Sequence, residues 1–373
     1  MLNSNKKAAM EISMSWIFMI IIGGFFLILA FNIVGKYQEN ENLKFEFQLK
    51  QGIRNALNDA GRTSGIEQDS IKKIGPIFKD SKVEIECYKG FAKLNINEIT
   101  DDSNAYLRNY PTFMTTIEQG KTENSYIVVE NFRLPFKITN MLAIVSKKNL
   151  IILNENDKIT KKLLKKFNEN SYKGNLYYIS EDFNNLDYHK IRAKTRNENL
   201  NSIVFVSDKE TPEKIFPALD EIITNLNIYT SWVQIDDSTY GEIIIKDKEA
   251  SETFNFYDYD KSYSLQTMAL FSKREVFKCS YEQLINSIDI SYEFYIQKSD
   301  YLKNKSVNEQ ICSSSLSKEI QEVRYNQLKK KLEETQKQIF DEKFNKLDET
   351  QIKLDELKYQ LEFIDDFNCP YVY

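Results

Sequence analysis

Serines and carboxylates stand directly after several short apolar runs in the middle of this chain. These residues are Ser146, Ser180, Asp182, Ser207 and Asp208. Hydroxyl and carboxylate groups at the carboxyl ends of parallel strands are placed to hold a phosphate or a metal ion. The same residue types cap the helices that follow such strands. No glycine-rich phosphate-binding loop follows any of the runs. The sequence therefore favours helix caps, and a ligand site at the strand ends is the second interpretation.

Other residues of catalytic type lack the partners that catalysis requires. The single histidine, His189, falls in a predicted helix, and no serine or cysteine motif accompanies it. The adjacent Asp236 and Asp237 are more typical of a turn than of a carboxylate dyad. The four cysteines are too widely spaced for a zinc site. We therefore expect no catalytic residue, no metal site and no cofactor.

The region that must position the strand-end residues spans residues 139–260. There, apolar strands alternate with amphipathic helices, which indicates a largely parallel, buried sheet. We predict an α/β fold of the Rossmann-like or flavodoxin-like kind. The predicted strands are Met141–Val145, Leu150–Leu153, Asn175–Ile179, Ser202–Val206, Ile228–Ile235 and Glu242–Ile245.

Two regions of different composition flank the α/β region. Residues 76–138 contain alternating polar and apolar side chains, which predicts a small β-rich segment. After Gly241 the chain has no further glycine, and its last part is rich in Glu, Lys, Gln and Leu. Apolar residues there recur at helical and heptad spacing, so residues 275–373 are predicted to form a helical bundle or coiled coil.

The four cysteines permit two disulfides, and helix length limits how they pair. If the C-terminal region were one straight helix, Cys312 and Cys369 would lie about 75 Å apart, too far to bond. If the region folds back near Phe340, those two cysteines fall at the same end of three helices of similar length. Cys279 then falls at the other end, where it is free to bond Cys87. We predict these two pairs, and four reduced, buried cysteines are the alternative.

An apolar stretch from Ile12 to Val34 contains no charged side chain. A helix of this length is about 34 Å long, and the hydrocarbon core of a bilayer is about 30 Å thick. We predict a retained transmembrane helix, because the stretch exceeds a secretory signal and lacks a good cleavage site. Helical spacing continues through residues 35–65, which predicts a helical stalk. This stalk is either continuous with the membrane helix or separated from it by a break near Gly35.

The residues before the apolar stretch, Lys6-Lys-Ala-Ala-Met-Glu11, resemble the type IV pilin (class III) signal of archaea. The start of the stretch and the tail Asn368–Tyr373 are similar to those of single-pass membrane proteins of small-genome archaea. The resemblance implies a cytoplasmic signal segment at residues 1–11 and a peptidase cut between Ala8 and Ala9. It also implies that most of the chain lies on the side of the membrane away from the cytoplasm. The distribution of Lys and Arg does not by itself favour this orientation, so cytoplasmic domains are the alternative.

Charge and surface motifs limit the partners. The net charge is −5, and basic residues are interspersed with acidic ones, so no nucleic-acid partner is expected. The basic stretch from Lys158 to Lys166 is interpreted as a solvated helix face over a core stripe rather than a lipid-binding face. Asn304-Lys-Ser306 matches an N-glycosylation sequon.

Together these features predict a non-enzymatic, single-pass surface protein of the cell membrane that makes structural or adhesive contacts. Its expected partners are membrane lipid around residues 12–34, and other proteins or further copies through the transmembrane and C-terminal helices. The small residues Gly23 and Gly24 would permit close helix contact in lipid. The alternatives are a minor pilin or filament component, and a membrane-tethered receptor or enzyme that uses the α/β domain.

Overall fold

A computed structural model gives the fold of the chain, which forms two compact units, residues 1–55 and 56–373. The described residues are 22, 24–37, 40, 44, 51, 70–74, 83–88, 91–96, 112–114, 125–146, 148–168, 177–181, 183, 187–198, 200, 202–208, 228–237, 240–258, 262–312, 316–342, 347–367 and 369–370.

In the first unit, residues 24–37 are helical. Phe25, Phe26, Leu27 and Ile28 are all exposed, and four consecutive residues cover a full helical turn. This turn of the helix is therefore exposed and apolar on every side. Among the described residues, no helix is both long enough and apolar enough to cross a membrane. The predicted span before Ile22, the proposed cut between Ala8 and Ala9 and most of the predicted stalk lie outside those residues.

The second unit begins with a four-stranded sheet. Its strands are β1 (Ser70–Ile74), β4 (Thr112–Met114), β5 (Ser125–Arg133) and β6 (Lys137–Ser146), in the order β1-β5-β6-β4. β5 is antiparallel to β1 and β6, and β4 is parallel to β6. Strands β2 (Val83–Tyr88) and β3 (Phe91–Ile96) form a separate antiparallel pair. The alternating pattern in this region thus forms strands, as predicted.

A six-stranded mixed sheet follows in the chain. Its strands are β7 (Asn149–Asn154), β8 (Tyr177–Glu181), β9 (Ser202–Ser207), β10 (Tyr229–Ile235), β11 (Tyr240–Lys246) and β12 (Ser251–Tyr257). Their order is β8-β7-β9-β10-β11-β12. The neighbours β8, β7, β9 and β10 are parallel to one another. β11 pairs antiparallel with β10, and β12 pairs antiparallel with β11.

Helices cover both faces of this sheet. Side chains of successive strand residues point to opposite faces, so β7 and β9 contribute to two separate cores. One core contains Ile191 of helix α2 (Tyr188–Glu198). The other contains Ile159, Leu163 and Phe167 of helix α1 (Lys158–Asn168), which is the stripe that the sequence predicts. The region is α/β, because a parallel sheet is buried between helices on its two faces.

The apolar run Met141–Val145 lies in a different sheet from the one predicted. The sequence assigns it to the first strand of the α/β region, but it forms most of β6 in the four-stranded sheet. A short apolar run does not specify which sheet it joins. Here the pairing of β6 with β5 along nearly its whole length decides the matter.

In the described part of the chain after the sheets there are four helices: α3 (Ser264–Leu270), α4 (Arg274–Asn308), α5 (Lys318–Glu342) and α6 (Leu347–Asp366). The chain folds back after Glu342, close to the predicted reversal near Phe340. Buried leucines from α5 and α6 join the same core as the sheets. The phenol of Tyr292 on α4 donates to the carbonyl oxygen of Leu134 at 2.8 Å, which ties the long helix to the four-stranded sheet.

A disulfide joins Cys312 and Cys369, which are 57 residues apart in the chain and have their Cα atoms 4.1 Å apart. The fold-back of α5 and α6 brings the two cysteines to one end of the helices, as the sequence argument requires. Cys279 is also disulfide-bonded. The side chain of Cys87, its predicted partner, lies outside the described part of the chain, so that pairing stays a prediction.

Candidate functional site

The carboxyl ends of β8, β7, β9 and β10 lie along one edge of the six-stranded sheet, because these strands are parallel neighbours. β7 and β9 are adjacent, although β8 lies between them in the chain. Helices α1 and α2 pack on opposite faces. The gap between the ends of β7 and β9 is therefore the topological switch point, where ligands bind in open α/β sheets.

Two aspartates meet at this switch point. Asp157 precedes α1 in the loop after β7, and Asp208 directly follows β9. The backbone N–H of Asp208 donates to Oδ2 of Asp157 at 2.8 Å. In return, the backbone N–H of Lys158 donates to Oδ2 of Asp208 at 3.4 Å. The other oxygen of Asp157, Oδ1, accepts from Nδ2 of Asn154 at 2.9 Å. The two carboxylates thus bridge the switch point with hydrogen bonds inside the chain.

Burial raises the pKa of Asp157, and the nearby Asp208 carboxylate raises it further, while the backbone N–H of Asp208 partly offsets the rise. A raised carboxyl pKa is a property of many general acids. Here both oxygens of Asp157 already accept hydrogen bonds from the chain. The arrangement holds the start of α1 against the end of β9, which is the role of a helix cap.

The predicted strand-end residues do not all come together. Ser207 and Asp208 lie at the switch point, and Ser207 is buried. Ser146 ends β6 in the other sheet, where its hydroxyl accepts from the backbone N–H of Lys148 at 3.2 Å and shapes the turn toward β7. Ser180 lies in β8, but its side chain is outside the described part, and Asp182 is outside it entirely.

Sequence reasoning missed Asp157 as a site residue. The available signal was its position at the predicted start of a helix that follows an apolar strand. That position indicates a cap, and only the neighbouring β9 shows that the cap faces a second carboxylate.

A second polar cluster lies deeper in the core and joins β5, α1 and the start of α3. Nζ of Lys166 lies 2.6 Å from Oε2 of Glu130 and also donates to the carbonyl oxygen of Ser262 at 2.7 Å. The hydroxyl of Ser264 donates to the same Glu130 oxygen at 2.7 Å. The side chains of Glu130 and Lys166 are 0% and 9% exposed. We call this group the Glu130–Lys166 cluster.

The position of Lys166 corrects one detail of the sequence interpretation. The basic stretch was expected to be a solvated helix face, yet its last lysine is buried. Lys158, Lys161 and Lys165 are exposed, in line with that expectation. Lys166 lies beside Phe167 in the core stripe, so its charge requires a partner, and Glu130 supplies it.

The remaining residues of chemical interest have ordinary surroundings. His189 is exposed on α2. Asp236 lies at the turn between β10 and β11, where its backbone N–H donates to the carbonyl oxygen of Glu242 at 3.2 Å. Asn304 is exposed on α4, whereas the hydroxyl of Ser306 is buried and donates to a backbone carbonyl. Within the described ranges, no group of three or more His, Cys, Asp or Glu side chains is arranged to hold a metal ion.

Comparison with known proteins gives no further guide. No protein-family model, no curated protein and no solved structure matches the chain. Its function is therefore inferred from its own residues.

Proposed function

We propose that this protein is anchored in a membrane by its N-terminal helix and works outside the cytoplasm as a structural or interaction protein. The observation that carries the proposal is the helix at residues 24–37, which exposes large apolar side chains on every side. Burying such side chains in lipid is favourable by about 25 cal/mol per Å² of apolar surface. The uncharged sequence continues back to Ile12 and gives the length that a bilayer requires.

The disulfide supports an extracytoplasmic location of the second unit. Disulfides persist in oxidising compartments and are rare in the cytosol. The Cys312–Cys369 bond links the end of the chain to the loop before α5. The pilin-like residues around Ala8 and Ala9 agree with this orientation.

The arrangement of the switch point supports binding by surfaces rather than catalysis. The Asp157 carboxylate accepts from the backbone N–H of Asp208, and the Asp208 carboxylate accepts from the backbone N–H of Lys158 at the start of α1. The β-rich segment, the α/β region and the C-terminal helices share one apolar core. That construction suits a rigid outer part that presents surfaces to partners.

The membrane anchor is tested by extracting membranes with alkaline carbonate. Full-length protein should stay in the membrane pellet. Ile22→Lys should shift it toward the soluble fraction, because a charge at the centre of a membrane helix costs about 2.5–3.5 kcal/mol on insertion scales. Ile22→Leu is the matched control and should behave as the wild type. Release of the wild-type chain by carbonate would contradict the anchor.

Processing and orientation need a separate measurement. Intact mass of the membrane-extracted protein should show loss of residues 1–8, and thiol labelling without reductant should leave Cys312 and Cys369 unmodified. Retention of the first residues would remove the minor-pilin alternative. Labelling of both cysteines would favour cytoplasmic domains instead.

A second candidate is a receptor that binds a cation or polar ligand at the switch point. It is favoured by Oδ1 of Asp208, which is buried without a hydrogen-bond partner in the structure. If this candidate holds, divalent cations should raise the melting temperature of the wild type but not that of Asp208→Asn. Equal melting curves with and without cations would count against it.

A further inference from the structure

Helix α4 presents an exposed apolar stripe to its surroundings. Ile290, Phe294 and Tyr301 are 67%, 58% and 62% exposed. With Gln297 they follow one another at intervals of four, three and four residues, which places all four on one face of the helix. We call these four residues the α4 stripe. The stripe has the spacing of the a and d positions of a coiled coil.

Charges beside the stripe select one kind of partner. In the heptad frame set by the stripe, Glu293 occupies a g position and Lys298 the following e position. In a parallel pair of identical helices, each g residue meets the e residue five positions later on the other helix. A second α4 in parallel would therefore place Lys298 of each copy beside Glu293 of the other.

The next pair of charges repeats this relation. Asp300 is at g and Lys305 at e, again acidic followed by basic. Asp300 already contacts Lys329 of α5 at 2.9 Å, and Lys305 contacts Glu309 at 3.5 Å. Glu293 accepts a hydrogen bond from the neutral amide Nε2 of Gln297 at 3.4 Å and is not in an ion pair within α4, so Glu293 and Lys298 are the pair chosen for the test. An antiparallel pair would instead bring e residues near e residues, so that lysines face lysines.

We infer that the α4 stripe is a self-association surface, on which a second copy of this chain packs its own α4 in parallel and in register. Ile290, Phe294 and Tyr301 of each copy then contact the same residues of the other. The stripe spans about two heptads, so its buried area falls below the roughly 1,200 Å² of a standard stable interface. The inference therefore rests on the proposed membrane anchor, which raises the local concentration of copies and so strengthens a weak contact.

The test is cysteine crosslinking of full-length protein in its membrane. Cys279, Cys312 and Cys369 are disulfide-bonded and do not compete with a new thiol. Phe294→Cys should form a covalent dimer on mild oxidation, and Ile290→Cys and Tyr301→Cys should do so as separate variants, because a parallel register aligns each position with itself. Tyr359→Cys on α6, where the native side chain is 61% exposed, is the matched control and should stay monomeric.

Charge reversal distinguishes specific pairing of Glu293 with Lys298 of a second copy from chance encounters between copies in the membrane. Within Phe294→Cys, adding Lys298→Glu should lower the dimer yield roughly tenfold, since like charges then face each other. Adding Glu293→Lys as well should restore the yield. Glu293 is exposed and Lys298 is half-buried, so neither change places a charge in the core and the fold should tolerate each.

Four results would overturn the self-association surface, the last of them together with the anchor. One is equal dimer yield from Phe294→Cys and Tyr359→Cys, which would indicate random collision. Another is crosslinking of Phe294→Cys to a different protein rather than to itself. The third is absence of dimer while carbonate extraction shows that the chain is anchored, which leaves the proposed function intact. If the chain is not anchored but the Phe294 dimer persists, the surface stands and the anchor fails. If neither anchoring nor dimer is found, both are wrong.

Discussion

The two polar clusters of the second unit place carboxylates in very different surroundings. In the Glu130–Lys166 cluster, a carboxylate and an ammonium group are 2.6 Å apart and almost fully removed from water. At the switch point, Asp157 is buried beside a second carboxylate and accepts from the backbone N–H of Asp208 and from the side-chain amide of Asn154. The first cluster balances its charge, whereas the second places like charges together at the edge of the sheet.

The difference indicates how strongly each cluster influences stability. A buried charge whose partner is removed stays uncompensated, and this costs about 3–5 kcal/mol. A hydrogen bond from a neutral N–H group to a buried carboxylate contributes less, about 1–3 kcal/mol. We therefore expect the Glu130–Lys166 cluster to govern the stability of the core. The switch-point pair should govern how stability depends on pH.

The largest effect is expected when one partner of the buried pair is removed. Lys166→Met should lower the free energy of unfolding by about 3–5 kcal/mol, because Glu130 keeps its charge in the core. Chemical unfolding followed by circular dichroism measures this change. Lys165→Met, one residue earlier on the exposed face of α1, is the control and should change stability by less than about 0.5 kcal/mol. Equal effects of the two substitutions would show that the buried pair has no special role.

Removing both charges should recover most of that loss. Glu130→Leu combined with Lys166→Met leaves no uncompensated charge, and replacement of buried ion pairs by apolar residues is often neutral or stabilising. The double-mutant cycle should therefore give a large coupling energy between the two positions. Ser264 loses its hydrogen bond to Glu130 in this variant, so the recovery should be incomplete. Strict additivity of the two single changes would argue against a direct interaction.

Asp157→Asn should have a moderate effect with a distinctive pH dependence. The pKa of Asp157 is raised in the folded state above its ordinary value, so the folded chain holds this proton more tightly than the unfolded chain does. The stabilisation that protonated Asp157 provides is thus fully present below the pKa of this group in the unfolded chain, which is near 4. It is lost as pH rises through the pKa of Asp157 in the folded chain. The amide side chain of the variant does not titrate, so the decrease in stability that Asp157 causes as pH rises should disappear.

At neutral pH, the same variant should lose about 1 kcal/mol because an amide offers one acceptor oxygen in place of two, and removal of the buried charge should offset part of this loss. Unfolding measured across pH 3 to 8 tests both the expected pH dependence and the expected change in stability at neutral pH. Glu155→Gln, on an exposed residue of the same loop, is the control. An unchanged pH profile for Asp157→Asn would mean that Asp157 is not the titrating group.

The smallest effect is expected at the surface, where an ion pair is open to water. Glu334 on α5 accepts from Lys353 of α6 at 3.0 Å and from Lys331 at 3.1 Å. The hydrogen bond from Lys353 and that from Lys331 lower the pKa of Glu334. Glu334→Gln should lower stability by no more than about 1 kcal/mol, and the difference should shrink in high salt. A loss as large as that of Lys166→Met would remove the distinction between buried and exposed pairs.

Local patterns in the sequence determined several features of the fold. Alternating apolar strands and helices specified the α/β region, and the stripe of Ile159, Leu163 and Phe167 specified which face of α1 is buried. Helix lengths, together with an assumed reversal near Phe340, led to the pairing of Cys312 with Cys369, because a disulfide tolerates only a short distance between its Cα atoms. Each of these inferences depends on spacing within one element or on the dimensions of regular structure.

Only the tertiary structure decided which distant residues meet. The run Met141–Val145 was recognisable as a strand, but its sheet was set by pairing with β5. Lys166 meets Glu130, 36 positions earlier in the chain, and Asp157 meets Asp208, 51 positions later. Such contacts leave no periodic signal, because they depend on strand order and on how helices cross the sheets. The sequence therefore determined the elements and their buried faces, while the packing of those elements determined which charges became partners.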